Sequence, residues 1–118
     1  MHAMAYLVIT ECRIDQTRMQ EFTAQVQKWE QDALKDDDAP NWHAVYLAAD
    51  DPTRVVIVTQ FESRDKAGRF EAKGRHVAFA TGVLRCVTDE PRLQGYDLFY
   101  AATPSGPTVT FGQETWRR

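Results

Sequence analysis

The 118-residue chain lacks several features that would assign it to a specialised class of protein. It contains two cysteines, Cys12 and Cys86, far apart and without the Cys-x-x-Cys spacing of a zinc or redox site. No apolar run approaches the roughly 18 residues that a membrane-spanning helix requires. The formal net charge is −3 and the basic residues are interleaved with acidic ones, so no patch suits a phosphate backbone. We therefore expect no metal site, no nucleic-acid partner and no membrane partner.

The opening segment, MHAMAYLVIT, also lacks the basic start, long apolar stretch and cleavage site of a signal peptide. This absence predicts a cytoplasmic location and two free thiols. The composition is that of an ordinary folded protein, with 43% hydrophobic and 26% charged residues. A chain of this length builds one domain with one modest core.

The first half of the chain predicts a strand, a helix and a hairpin. Residues 5–14 alternate as a strand, and both of its faces carry apolar side chains. Thr17 and Gln20 fit a capping box that opens a helix to about Lys35. An apolar stripe along that helix, which we interpret as core, comprises Met19, Phe22, Val26, Trp29 and Ala33. Two strand-like runs, 41–49 and 54–62, flank a turn at 50–53, which predicts an antiparallel hairpin.

The second half predicts a helix, a strand and a tail. Residues 64–87 are helical in character, with Ser63 as the N-cap and breaks at Gly74 and near Gly82. The predicted inward residues of this segment are Ala67, Phe70, Val77, Ala80 and Leu84. A fourth strand covers 93–101, and the tail at 102–118 adds an extra strand or reaches across to a partner.

The order strand, helix, strand, strand, helix, strand is that of a ferredoxin-like α+β fold, βαββαβ, with a four-stranded antiparallel sheet. We assign residues 1–118 to one domain with its core at about 5–101. The third strand is apolar on both sides, as the first is, and one chain has helices enough to cover only one face of the sheet. A second copy of the chain is the cover that we predict for the other face.

The segment TQFESRDKAGRFEAKGRHVAF at 59–79 resembles the signature region of the antibiotic biosynthesis monooxygenase superfamily. Members of that superfamily have an aromatic residue, an acidic or basic residue and a Ser or Asp at the end of a strand, matched here by 61–63. A helix with two histidines follows. His76 matches the second histidine and Phe79 the aromatic residue after it, whereas Phe70 stands in place of the first. The entry to the second strand, Ala39-Pro40-Asn41-Trp42, is also similar.

The resemblance implies a dimeric α/β barrel, in which each subunit has a pocket between its sheet and its helices. Many members oxidise quinol-like or polyketide aromatics with O2 and without a cofactor, so we expect none here. The residues used by the haem-degrading members are replaced by Cys12, Phe70 and Ala80, which argues against a haem oxygenase. Those of the polyketide-quinone members are replaced by Ile57 and Phe61, so no complete catalytic set is transferred.

The resemblance leaves His76 as the candidate catalytic residue, a general base or hydrogen-bond donor, because its ordinary pKa lies near neutrality. The predicted substrate pocket for a small apolar or aromatic ligand comprises Cys12, Trp42, Tyr46, Phe61, Phe70 and Phe79. With Trp42 and Tyr46 in the pocket, His43 would face the dimer seam. Two functions stay open, a cofactor-independent monooxygenase and a non-catalytic dimeric domain that binds a small molecule.

Overall fold

A computed structural model describes residues 5–104 and 106–109 of the chain. The main sheet has the order β2-β3-β1-β4, and every neighbouring pair is antiparallel. Three helices pack on it, so the predicted ferredoxin-like α+β fold is confirmed. The elements in chain order are β1 (Tyr6–Arg13), α1 (Met19–Ala33), β2 (Trp42–Ala48), β3 (Asp51–Phe61), α2 (Arg64–Glu71), α3 (Gly74–Leu84), β4 (Arg92–Asp97), β5 (Tyr100–Thr103) and β6 (Gly106–Val109).

The helix after β1 begins differently from the prediction. A short 3-10 turn, Gln16–Arg18, precedes α1. The carboxylate of Asp15 accepts hydrogen bonds from the backbone N–H of Thr17 at 2.9 Å and from its hydroxyl at 2.7 Å. The predicted capping box of Thr17 and Gln20 is therefore wrong, because Asp15, two residues earlier, caps the chain where it first turns.

The segment between β3 and β4 forms two helices, whereas the two predicted breaks would divide it into three. The predicted break at Gly74 is confirmed, since α2 ends at Glu71 and α3 begins at Gly74. The predicted break near Gly82 is wrong, because α3 continues to Leu84. Gly82 is buried against α1, and a Cβ atom there would lie 2.5 Å from the side-chain oxygen of Gln25. That glycine permits close helix–helix packing.

The break between the two helices also changes which residues of α3 face inward. The prediction that Val77 faces inward is wrong, since its exposed fraction is 55%. Leu84 does face inward, but it lines an open cavity between the helices and the sheet and stays 56% exposed. Phe79 and Val83 pack inward instead. The prediction extends one helical periodicity from α2 into α3, whereas the non-helical residues between the two helices shift the helical phase.

The hairpin of β2 and β3 contains a bulge that sets which side chains share a face. Ala48 pairs with Asp51 at the turn, but the next pair is Leu47 with Val55. The register thus shifts by three residues, an odd number, which reverses the relative orientation of side chains on the two strands. His43 consequently lies beside Thr59, on the face that carries the helices.

The helix-covered face of the sheet contains the core. Side chains of β1 and β3 meet the apolar stripe of α1 and the inner faces of α2 and α3. The most buried members are Ile14, Phe22, Ala33, Val55, Phe61, Ala67, Phe70 and Cys86. The predicted stripe of α1 is confirmed, since four of its five members are buried and Met19 packs against them.

The opposite face of the sheet carries no helix of the described chain. Leu7, Ile9, Val56 and Val58 lie half-buried along its centre. Aromatic side chains flank them on the outer strands, with exposed fractions of 42% for Trp42, 58% for Tyr46 and 48% for Tyr96. We call this surface the open face.

The C-terminal part of the fold departs from the predicted fourth strand. Strand β4 ends at Asp97, and β5 pairs with β6 in a separate two-stranded sheet. Of the tail at 102–118, which is predicted to add a strand or to reach a partner, β6 lies within the described residues and 110–118 lie outside them. Within the described residues, no helix is both long and apolar enough to cross a membrane.

Substituting Gly95 with alanine is expected to lower the free energy of unfolding by about 1–3 kcal/mol. A Cβ atom at this position of β4 would overlap the hydroxyl group of Tyr6 and lie 2.5 Å from the ring carbon that bears it. Chemical denaturation measures the loss. In a Tyr6→Ala background the same change should cost little, because the clash is gone.

Gly68→Ala is the matched control for this experiment. Gly68 lies inside α2, and a Cβ atom added there would have nothing within 4 Å, so alanine should stabilise the protein by about 0.5–1 kcal/mol. Equal effects of the two substitutions would contradict the close approach of Tyr6 to Gly95.

Candidate functional site

A cavity of about 280 Å³ lies between the helix-covered face of the sheet and the three helices. Its wall is mainly apolar, with residues of all four strands of the main sheet on one side and residues of all three helices on the other. The few polar side chains on this wall are Thr10, His43, Thr59, Glu71, His76 and Glu90. A small number of polar groups in an apolar cleft is typical of small-molecule sites.

Aromatic rings form one side of this cavity. Trp29 of α1 stacks on Phe79 of α3 at a centroid distance of 5.2 Å, and it meets Phe70 edge-on at 5.9 Å. Phe70 lies 5.4 Å from both Phe61 and His76. The rings come from three helices and a strand, so folding assembles this wall from distant parts of the sequence.

His76 lies in the first turn of α3 with its ring on the cavity wall. Its Nδ1 atom is buried without a hydrogen-bond partner, whereas its Nε2 atom is not buried in this way. Burial lowers the pKa of His76, and the positive end of α3 acts in the same direction. Both effects favour the neutral imidazole. The tautomer that avoids a buried unpaired N–H carries its proton on Nε2, the accessible nitrogen.

His43 reaches the same cavity from β2. Its side chain is only 8% exposed and meets Trp29 edge-on at 4.8 Å. The Nε2 atom lies 3.3 Å from a carboxylate oxygen of Glu30, and Nδ1 is buried without a partner. The carboxylate favours the proton on Nε2, which orients the ring but directs its polar edge toward α1.

Glu71 is the last residue of α2 and is half-buried on the cavity wall. It has neither an ion pair nor a hydrogen bond among the described residues. Desolvation by burial raises the pKa of its carboxyl group. The negative end of the helix disfavours a carboxylate at this position as well.

The basic residues near Glu71 in the sequence are all paired elsewhere. Arg69 contacts Asp38 at 3.1 Å, and Lys73 contacts both Asp36 and Asp38. Arg75 pairs with Asp36, whose side chain is 8% exposed. Two aspartates of the loop after α1 thus hold the three cations of the α2–α3 junction, and Glu71 is left uncompensated.

The predicted site residues fall in three places. Phe61, Phe70, Phe79 and His76 line the cavity together. Cys12 lies in the core on the same side of the sheet but not on the cavity wall. Burial raises its pKa to about 11, so the thiol stays protonated near neutral pH and cannot act as a nucleophile.

Trp42 and Tyr46 lie on the open face, away from this cavity. The expectation that they belong to the pocket, and that His43 faces the seam, is corrected by the hairpin register. Val45 lies between them in sequence and packs on the core, so its neighbours at even positions must point outward.

A second cavity, of about 410 Å³, lies on the outer side between α1 and α3. Although it is larger, its wall is more polar and mixes the charges of Lys28, Asp32, Arg75 and Arg85. Arg75 and Arg85 are paired with carboxylates already. Within the described ranges, no three His, Cys, Asp or Glu side chains cluster closely enough to hold a metal ion.

The sequence interpretation missed His43, Glu71 and the double role of Trp29, which belongs to the core and also lines the cavity. Which face of the sheet each β2 side chain points to depends on the hairpin bulge, for which the sequence has no clear signal. Glu71 stands among alternating charges that are typical of a solvated helix face. Glu71 differs from the other charged residues of this face because its basic neighbours pair with a loop more than 30 residues earlier in the chain.

Solved structures of similar fold were found. A protein from Nitrosomonas europaea named "putative antibiotic biosynthesis monooxygenase" superposes with a TM-score of 0.71 at 15% identity, covering 83% of this chain and 93% of its own. A protein of the same name from Caulobacter crescentus CB15 gives 0.74 at 8% identity, covering 82% and 92%. A conserved protein from Methanosarcina mazei Go1 gives 0.74 at 14% identity, covering 79% and 91%.

These similarities agree with the resemblance inferred from residues 59–79, which is confirmed at the level of the fold. No protein-family model matches the chain, and no curated protein matches it. At this level of identity the comparison establishes the fold and leaves the reaction to the residues of the cavity.

Proposed function

We propose that the chain is a cofactor-independent, monooxygenase-like enzyme that oxidises a small aromatic, quinol or polyketide-type substrate with O2 and acts as a homodimer. The observation that carries this proposal is the 280 Å³ cavity, with aromatic walls and His76 on its surface. An engineered apolar cavity of about 150 Å³ binds benzene, so the present one has room for one or two fused rings.

The chemistry fits the wall of the cavity. Without a cofactor the substrate itself supplies electrons to O2, which it does readily only after losing a proton. A methylene group oxidised to a ketone consumes one O2 and releases one water, whereas a hydroquinone oxidised to a quinone releases hydrogen peroxide. The protein has to stabilise the substrate anion and exclude water.

His76 is suited to the first of these tasks as a hydrogen-bond donor rather than as a base. Accepting a proton would place a charge on a ring whose Nδ1 is buried and unpartnered, which its lowered pKa disfavours. In the neutral form, Nε2–H can donate to an oxyanion in the cavity without any change of charge on the protein. The aromatic rings around it supply the dry surroundings.

The second candidate is a dimeric domain that binds a small apolar molecule without transforming it. The observation that favours it is the small polar content of the cavity, which Ile57 and Phe61 line. The resemblance implies polar or indole groups at these two positions in the polyketide-quinone members. Both candidates share the cavity and the assembly, and they differ only in whether bound ligand reacts with O2.

Oxygen uptake with a graded set of substrates separates the two candidates. We expect uptake with a benzohydroquinone or a naphthohydroquinone and less with a three-ring anthrone. His76→Ala should lower the rate about 100-fold, the loss that follows from removing one donor to a developing oxyanion. His76→Gln, which keeps an N–H donor, should recover part of it.

Val77→Ala is the control, because Val77 is exposed beside His76 and does not line the cavity. Full activity of His76→Ala would remove the role assigned to this residue. Ligand binding without any oxygen uptake across the set would favour the non-catalytic domain.

A further inference from the structure

The junction of α2 and α3 holds two titratable groups on one cavity wall, each where its charged form is disfavoured. Glu71 is the last residue of α2, at the negative end of that helix, and His76 lies in the first turn of α3, at the positive end. Both are partly buried and both line the same cavity. Their pKa values are shifted toward each other by desolvation, upward for Glu71 and downward for His76.

The lack of a partner for Glu71 is specific to this carboxylate. The other half-buried acidic residues of the described chain each have a cationic or hydrogen-bonding partner: Asp15, Glu21, Glu30, Asp36, Asp38 and Asp51. Three cations lie within four residues of Glu71, but loop residues 36 and 38 hold all of them. An unpaired, partly desolvated carboxylate beside an apolar cavity is characteristic of functional sites.

We propose that Glu71 is the proton acceptor of this cavity, which accepts first a hydrogen bond and then the proton from the hydroxyl group of a bound phenol or hydroquinone. The inference rests on the proposed function and adds the base that His76 does not provide. In the step, the ligand O–H bond breaks and its electron pair stays on the ligand oxygen. A new O–H bond forms on a Glu71 carboxylate oxygen.

The pairing of the two groups gives each a defined task. The phenolate formed by the transfer accepts a hydrogen bond from Nε2–H of His76, so the negative charge moves from Glu71 to the ligand and remains solvated by the protein. A base whose pKa has been raised toward neutrality accepts a proton more effectively than an ordinary carboxylate. A neutral donor in the same cavity avoids forming a salt bridge that would quench the base.

Binding of matched ligands tests the proposal without requiring turnover. Hydroquinone can donate to a carboxylate, whereas its dimethyl ether, 1,4-dimethoxybenzene, cannot. We expect the wild-type protein to prefer hydroquinone about tenfold by calorimetry, the size of one charge-assisted hydrogen bond. Glu71→Gln should lose most of that preference. Glu62→Gln, at an exposed position just before α2, should keep it.

The pH dependence gives a second readout. The preference for hydroquinone requires ionised Glu71, so it should fade as the pH falls through the raised pKa of that group. Glu71→Gln should lack this fall. The other titratable groups on this wall, His43, His76 and Glu90, are present in both proteins, so the difference between the profiles isolates Glu71.

The outcomes separate the two proposals. If the wild-type protein binds both ligands equally, or if Glu71→Gln keeps the full preference, the role of Glu71 is overturned and the proposed function stands. If the wild-type protein binds neither ligand at millimolar concentration, the cavity is not a site for small aromatics and both proposals fall. A preference lost in Glu71→Gln alone supports the role of Glu71, whether or not O2 is consumed.

Discussion

Phe70→Ala is expected to lower the free energy of unfolding by about 3–5 kcal/mol. The side chain is fully buried, with an exposed fraction of 0%. Its ring meets the rings of Trp29, Phe61 and His76 at centroid distances of 5.4–5.9 Å. Truncation removes the transfer free energy of the ring and leaves a void that three rigid aromatic groups cannot collapse to fill.

The loss would be a large share of the stability of a domain of this size, which is typically about 5–15 kcal/mol. Urea denaturation followed by circular dichroism measures it. Val77→Ala removes apolar atoms from an exposed site on the neighbouring helix and should change stability by no more than about 0.5 kcal/mol. A loss below about 1 kcal/mol for Phe70→Ala would contradict the packing described for this cluster.

The same residue shows why the fold could be predicted more fully than the site. Phe70 was expected inward from the helical spacing, and in the family resemblance it stood where a histidine is common. Periodicity alone fixes that an apolar side chain on an amphipathic helix turns toward the core. Periodicity does not predict that the Phe70 ring forms one side of a cavity. The cavity depends also on Trp29 and Phe61, which contact Phe70 from other elements.

The strands illustrate the limit of local patterns. Alternation in β1 and β3 predicted two apolar faces correctly, since side chains on a strand point to opposite sides in turn. For β2 the same alternation left open which face was which. A tight hairpin closed by Ala48 and Asp51 without a bulge would have paired His43 with Val56 and placed it on the open face. The three-residue register shift places it beside Thr59 instead.

Charges were the least predictable part of the site. The basic and acidic residues of α2 have the pattern of a solvated helix face, and most of them do lie on such a face. Glu71 differs because Asp36 and Asp38 take up the neighbouring cations. This is a tertiary arrangement between a loop and a helix junction, for which nothing in the local sequence is diagnostic.

The open face leads to the second prediction with a large effect. Val58→Asp is expected to convert the dimer that we propose into a monomer. Val58 lies at the centre of this face, between Ile9 on one side and Ala44 on the other. It is half-buried in the single chain, so an aspartate there keeps access to water until a second sheet covers it.

Burying that carboxylate against another apolar sheet would cost several kcal/mol, because an unpaired ion loses its hydration without gaining a partner. A loss of about 4 kcal/mol weakens association roughly 1,000-fold. Sedimentation equilibrium at micromolar concentration should give twice the 13.5 kDa of the chain for the wild type and a single chain for the variant. Val77→Asp makes the same replacement at an exposed site of α3 and should leave the dimer intact.

The charges of the open face indicate how the two sheets would meet. Arg92 and Glu11 pair at 2.8 Å near one end of the face, and Arg13 and Arg54 lie close by. The apolar and aromatic residues occupy the centre and the other end. A partner sheet would therefore cover the apolar part and leave the charged end at the rim, where ion pairs remain hydrated and cost little. A wild-type protein that sediments as a monomer, with its far-UV spectrum intact, would show that this surface is stable in water and would remove the dimer from the proposal.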